Sequence, residues 1–304
     1  MSYKSLRWAT TGGKPSSAHG YFDRVQLWLK RPATRSQLAD LDACCGHLYA
    51  ENRSARFNSQ YRQRVDMKQP NRNALSWVAA HDDALITIVE IALDLAFDSP
   101  ADRDDTQDWL RRHLIRRWHG KQQEVFCVEE TRYDASRAAP NQIVFYREEH
   151  SRITGELNCL HIEWRANRAR AVRSAGIITP QDLLVFPFRE FWSHRLLLVD
   201  LDEEGLGRYL RNTSNRTRSR KSPTVSYGYG EINLDRRLGH SISANRSIQE
   251  VVDQYRGINR CFQVLSNQDL LPQEEEIENL GEKPNLALLT SGLGSYGAFG
   301  RVVT

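Results

Sequence analysis

The 304-residue sequence has no run approaching the roughly 18–20 apolar residues that a membrane span needs. Its amino terminus, MSYKSLRWATTGGKPSS, lacks the apolar centre of a signal peptide, so a cytoplasmic protein with no membrane association is expected. The five cysteines (Cys44, Cys45, Cys127, Cys159 and Cys261) are odd in number and form no CxxC pair. That argues against a disulfide framework and against a structural zinc site. Neither GxxxxGK[ST] nor GxGxxG occurs, which removes the glycine-rich phosphate loops of nucleotide-binding folds. Internal repeats are absent as well.

What is present can fill a core: 40% of residues are hydrophobic and seven are tryptophan. The pattern along the chain predicts a loose arm over 1–20 and a first strand over Phe22–Lys30, ended by Pro32. A helix capped by Ser36 and running through Cys45 follows, then a polar strand over Arg56–Met67 and a helix around Asn73–Ala80. Leu85–Phe97 is the strongest strand, rich in β-branched residues and closed by Ser99-Pro100. Asp102–Trp118 reads as a helix with acids in its first turn and a buried stripe of Trp109, Leu110, His113, Leu114 and Trp118, His113 at the edge of the core. Three closely spaced strands come next: Glu124–Tyr133, Gln142–Arg147 and Cys159–Arg165. The order implies an α+β fold, a largely antiparallel sheet with flanking helices, occupying 21–200. After it come helical patterns over Asp182–Phe186 and Phe188–Leu198, a basic loop within 211–224, a mostly helical C-terminal region (201–280) including Ser247–Leu265, and a flexible tail over 281–304.

Two strands break their apolar alternation with charge on one face only. In one, Leu160, Ile162 and Trp164 point one way while His161, Glu163 and Arg165 point the other. In the other, Val89, Ile91, Leu93 and Leu95 oppose Glu90, Ala92 and Asp94. Such a face is either solvated or built to hold a metal. Carboxylates with one imidazole suit Mg²⁺ or Mn²⁺ better than zinc, provided the two strands are neighbours. The net charge is only +4, but arginines cluster: Arg165, Arg168, Arg170 and Arg173, then Arg208, Arg211, Arg216, Arg218, Arg220 and Lys221. Patches of this kind suit phosphate contacts with DNA, while the acidic stretch Glu274–Glu278 points away from a polyanion. Among eleven tyrosines, Tyr209 lies between Arg208 and Arg211, and Tyr227 and Tyr229 lie just past the basic loop. A tyrosine nucleophile suits strand joining, because the phosphotyrosine bond preserves energy for religation.

Three segments resemble the replication-initiator (Rep_trans-type) proteins of rolling-circle plasmids and the related initiators of filamentous phages. Ile88-Val89-Glu90-Ile91-Ala92-Leu93-Asp94 is similar to their acidic strand. Thr131-Arg132-Tyr133-Asp134-Ala135-Ser136-Arg137 with Ile143-Val144-Phe145-Tyr146-Arg147 is similar to their strand pair, and Leu160-His161-Ile162-Glu163-Trp164-Arg165 to their strand carrying a glutamate-x-arginine pattern. The likeness covers about residues 20–200. Tyr146 is followed by Arg147-Glu148 where the family has Asp-Lys, and the His-hydrophobe-His strand of the broader rolling-circle class is absent. The resemblance implies a metal-dependent DNA endonuclease and strand transferase that starts rolling-circle replication of a plasmid, phage or integrated element. Asp94, Glu163 and Glu90 would be metal ligands, His161 a ligand or general acid, and one of Tyr209, Tyr227 and Tyr229 the nucleophile. DNA, single-stranded or as an origin duplex, is the expected partner, with a homodimer left open. A catalytically inactive DNA-binding protein and a cytosolic protein-interaction module are the alternatives.

Overall fold

A computed structural model describes residues 14–53, 60–115, 126–128, 131–133, 139–201 and 262–272. Eight strands form one sheet in which every pairing is antiparallel. They are β1 (Ser17–Leu29), β2 (His47–Asn52), β3 (Gln63–Lys68), β4 (Leu85–Ala96), β6 (Phe126–Val128), β7 (Thr131–Tyr133), β8 (Asn141–His150) and β9 (Leu157–Asn167), in spatial order β2-β3-β1-β4-β9-β8-β7-β6. A smaller sheet pairs β5 (Leu114–Ile115) and β11 (Phe262–Val264) with β10 (Leu197–Leu201). The expected α+β class and antiparallel sheet are therefore what the chain adopts.

The apolar face of the large sheet is the core. Val25, Leu27, Val65, Met67, Ile91, Leu93, Leu95, Leu160 and Ile162 are all fully buried there. Each such side chain contributes about 1.5–3 kcal/mol by leaving water. Helix α3 (Pro100–His113) seats Trp109 and Leu110 in this core, and α5 (Phe188–Arg195) adds Phe188, Phe191 and the fully buried Trp192. At Gly20 β1 comes so close to α5 that a Cβ would lie 2.7 Å from the Phe188 Cβ. A side chain at position 20 would push these two elements apart.

Local chemistry accounts for the helix starts. Thr34 and Gln37 form a reciprocal capping box at α1 (Arg35–Asp42), so the cap lies two residues before Ser36 and the helix stops short of Cys45. Asn71 caps α2 (Arg72–Ala79), and Ser99 with Pro100 opens α3. Other boundaries depart from the sequence pattern where tertiary pairing competes. The expected Asp102–Trp118 helix ends at His113, because Leu114 and Ile115 pair with Leu198 and Leu197. His113 is half-buried and stacks on Trp109, 5.1 Å between centroids. Phe262–Val264 is a strand against β10 where a helix was expected, and the Phe188–Leu198 run divides into α5 and the start of β10. Pro180–Leu183 is a single 3-10 turn. The polar strand expected over Arg56–Met67 is Gln63–Lys68, and β2 is an edge strand whose polar residues carry no core alternation. Helix α4 (Ala169–Ser174), which the sequence pattern did not suggest, packs under β4 and β9.

Candidate metal centre

Strands β4 and β9 are neighbours, which was the condition for their charged residues to act together. Their register sets Asp94 opposite His161, Ala92 opposite Glu163 and Glu90 opposite Arg165. On the far side of β9, Tyr146 of β8 lies opposite His161. On the far side of β4, β1 pairs Phe22 with Ile91 and Arg24 with Glu90, leaving Asp23 as the extra residue of a bulge. A bulge turns a side chain out of strict alternation. Asp23 is thereby brought to the polar face, 98% buried, with its ligand atom within 4.8 Å of those of His161 and Glu163.

His161 is the centre of this arrangement and is fully buried. Its Nδ1 lies 2.6 Å from Asp94 Oδ1. Asp94 is itself held: Ser151 Oγ donates to Oδ2 at 2.6 Å, and the Tyr21 hydroxyl lies 3.3 Å from both oxygens. The Tyr146 ring packs against the imidazole, 4.9 Å between centroids. The other nitrogen, Nε2, has no hydrogen-bond partner and is 3.9 Å from Glu163 Oε2. Leaving a buried polar atom without a partner costs about 1–3 kcal/mol.

The surrounding charges are arranged around the two converging carboxylates, Asp23 and Glu163. Arg165 forks onto Glu163 with two 2.9 Å bonds. Arg152 reaches Asp23 at 3.3 Å, and also engages Glu148 and the Tyr146 hydroxyl. Gln69 Nε2 donates to Asp23 at 3.1 Å, and Lys68 Nζ lies 3.7 Å from it. Burial works against ionisation of Asp23, but Arg152, His161 and Lys68 outweigh it and hold the carboxyl below its ordinary range. Burial pushes Glu163 up; the Arg165 fork opposes the rise and the Glu90 charge adds to it. Burial also disfavours the His161 imidazolium, yet Asp94 and Glu163 carry its pKa above the ordinary value. Tyr21 and Tyr146 are both raised, chiefly by burial.

This donor set fits a hard divalent cation. Two carboxylates and one imidazole nitrogen converge, and the orphaned Nε2 lies 3.9 Å from Glu163. The Asp94–His161 bond supplies the carboxylate–histidine relay that fixes the tautomer and ring orientation of metal-binding histidines. Of the residues marked out by sequence, His161 and Glu163 come together here. Asp94 binds the opposite ring nitrogen. Glu90 is engaged by Lys68 at 2.9 Å and Arg24 at 3.2 Å; against burial, Lys68 and the Arg165 charge hold its carboxyl below the ordinary range. Asp23 was not among the sequence candidates. Its only signal was an acid inside an apolar strand, and alternation without the bulge groups it with Val25 and Leu27. Arg168, Arg170 and Arg173 are exposed at the end of β9 and along α4. Tyr209, Tyr227, Tyr229, Arg208, Arg211, Arg216, Arg218, Arg220 and Lys221 lie outside the described residues.

The site thus has the composition of a carboxylate–histidine cation centre on an antiparallel sheet. No protein-family model matches the sequence, and no curated protein matches it. Among solved structures, the chain is similar to a rolling-circle replication initiator protein from Geobacillus stearothermophilus, with a TM-score of 0.34 and 11% identity over 57% of this chain and 81% of that one. No described helix is long and apolar enough to cross a membrane.

Proposed function

We propose that this protein is a divalent-metal-dependent enzyme that nicks and rejoins DNA and so starts rolling-circle replication of a plasmid, phage or integrated element. The observation that carries the metal half of this reading is the convergence of Asp23, His161 and Glu163, with the buried His161 Nε2 lacking a hydrogen-bond partner 3.9 Å from Glu163. The DNA half rests on the sequence resemblance over β4, β7–β8 and β9, on the arginines at the end of β9 and along α4, and on the basic residues between Arg208 and Lys221 in the sequence.

Asp23, His161 and Glu163 would hold Mg²⁺ or Mn²⁺. When bound, such an ion polarises a phosphodiester and stabilises the charge that builds on it. Asp94, Ser151 and Tyr21 keep the imidazole in one tautomer and one orientation. Arg165 and Arg152 bring positive charge to opposite sides of the carboxylates, where a DNA phosphate would approach. Tyr21 and Tyr146 are poor nucleophile candidates, because burial holds their hydroxyl protons. The attack would fall to one of Tyr209, Tyr227 and Tyr229, which lie in or just past the basic segment of the sequence. Its phenolic oxygen would bond to phosphorus as the bond to the 3′ oxygen breaks. The products are a 5′-phosphotyrosine and a free 3′ hydroxyl, and religation is the reverse.

Covalent capture tests this reading. Protein, Mn²⁺ and labelled single-stranded DNA from its own genomic neighbourhood should give a denaturation-resistant adduct that disappears in Glu163→Ala. Peptide mapping of the adduct would name the tyrosine. Salt-sensitive DNA binding with no adduct would instead favour an inactive DNA-binding protein, and neither signal a protein-interaction module.

A further inference from the structure

The outer edge of the large sheet carries a second group of side chains that the metal centre does not use. Cross-strand partners share a face, and residues along one strand alternate. Arg24, opposite Glu90, pairs with Lys68; two and four residues along β3 from Lys68, Asp66 pairs with Tyr49 and Arg64 with Trp28. Tyr49 and Trp28 therefore lie on the face that holds the metal centre. Tyr49 is 46% exposed on the last strand of the sheet, where it fills no core. The Arg64 guanidinium sits 5.1 Å from the centroid of its ring, and the Arg53 guanidinium 4.3 Å from that of the half-buried Trp28. Arg62 is exposed beside them. The acids at this edge are Glu51, bound by Arg64 at 2.9 Å, and Asp66, bound by Arg24 at 2.6 Å.

Aromatic faces interleaved with guanidinium groups are the chemistry that takes an unstacked base and its phosphate together. The four residue steps from Lys68, beside Asp23, to Arg64 span about 13 Å of strand. A duplex would keep its bases stacked on one another and leave these rings unused. We propose that Tyr49 and Trp28, with Arg53 and Arg64, form a stacking platform for single-stranded DNA that leads along the sheet to Asp23, His161 and Glu163. The choice of DNA rests on the function proposed above; the stacking itself does not.

The test is fluorescence anisotropy of the full chain with labelled dT12 in EDTA, so that no metal-dependent step contributes. Tyr49→Ala should weaken dT12 binding roughly tenfold or more while Tyr49→Phe restores it, since one stacked base accounts for such a change. Binding to a 12-base-pair duplex should change less than twofold. The control Val185→Ser, on a 77% exposed residue of another loop, should bind as the parent does. Tryptophan emission quenched by dT12 in the parent should lose part of that quenching in Trp28→Phe. Unchanged dT12 affinity in a folded Tyr49→Ala variant overturns the proposal. So does an equal loss for single strand and duplex, or tighter Tyr49-dependent binding to rU12 than to dT12. Absence of a covalent adduct with Tyr49-dependent dT12 binding intact would remove the nicking reading and leave the platform standing. An adduct formed equally well with Tyr49→Ala, at equal dT12 affinity, would do the reverse.

Discussion

At the residue scale, the chemistry turns on how His161 is held. Its Nδ1 is tied to a carboxylate with two further hydroxyl donors, so the ring presents Nε2 in one direction. Asp94→Asn preserves the shape but removes the charge and the unambiguous acceptor. We expect Mn²⁺ affinity, measured by calorimetry, to fall about 10- to 100-fold. Unchanged affinity would show that Asp94 does not orient the ring. The pH dependence has a definite sign. The folded pKa of His161 lies above its ordinary 6.5, so its stabilising contribution is complete below that value and is lost as pH rises through the folded pKa. Glu163, raised above 4.5, acts in the same direction, its contribution fading as pH rises past that value. Asp23, lowered from 3.8, contributes above that value and loses its part only as pH falls through the depressed pKa. The metal-free protein should therefore melt at a lower temperature at pH 8 than at pH 6. A divalent cation competes with protons for the same atoms, so the rise in Tm on adding Mn²⁺ should be larger at pH 8. At a hundred times Kd that rise corresponds to about 2.7 kcal/mol. An increment that shrinks as pH rises would contradict the ligand set.

At the scale of elements, the site depends on one irregularity and one close approach. The bulge in β1 adds Asp23 to a pair that alternation along β9 already places on one face, converting a histidine and one glutamate into three convergent donors. The sheet on which they sit is pressed against α5 at Gly20. Gly20→Ala would place a methyl 2.7 Å from the Phe188 Cβ, and backbone rather than a flexible chain end would have to move. Urea unfolding should show about 1–3 kcal/mol of destabilisation, typical of overpacking. Wild-type stability in that variant would mean that β1 and α5 separate freely.

For the whole molecule, a net charge of +4 over 304 residues is too small to drive strong polyanion binding by itself. Salt sensitivity must then come from local clusters. Arg170 and Arg173 are exposed on α4, below the end of the strand that carries His161 and Glu163. Replacing each with glutamine should lower the slope of log K against log salt for DNA binding by about 0.7–0.9. A slope that does not change would place the DNA elsewhere. Neither substitution touches the core, so Tm should stay within a degree or two of the parent.

The sequence by itself determined the class of fold and two of the three residues that converge at the site. Strong apolar alternation in Leu85–Ala96 and Leu157–Asn167 marks strands, and the charges on one face of each mark a polar surface, because side chains of a strand alternate with a period of two. His161 and Glu163 were legible for that reason. Which strands are neighbours was not, since antiparallel pairing is set by the whole chain's packing and not by any one segment. The same holds for Asp23. A bulge arises where one strand must carry an extra residue against its partner, and strict alternation assigns its side chain to the wrong face. Short strands such as Leu114–Ile115 and Phe262–Val264 have too few residues for periodicity to register, and exist because Leu197–Leu201 offers them a partner. Tertiary structure also decided the roles of Asp94 and Glu90. Both are acids on the polar face of β4, but one meets an imidazole and the other two cations, and only the neighbouring strands distinguish them.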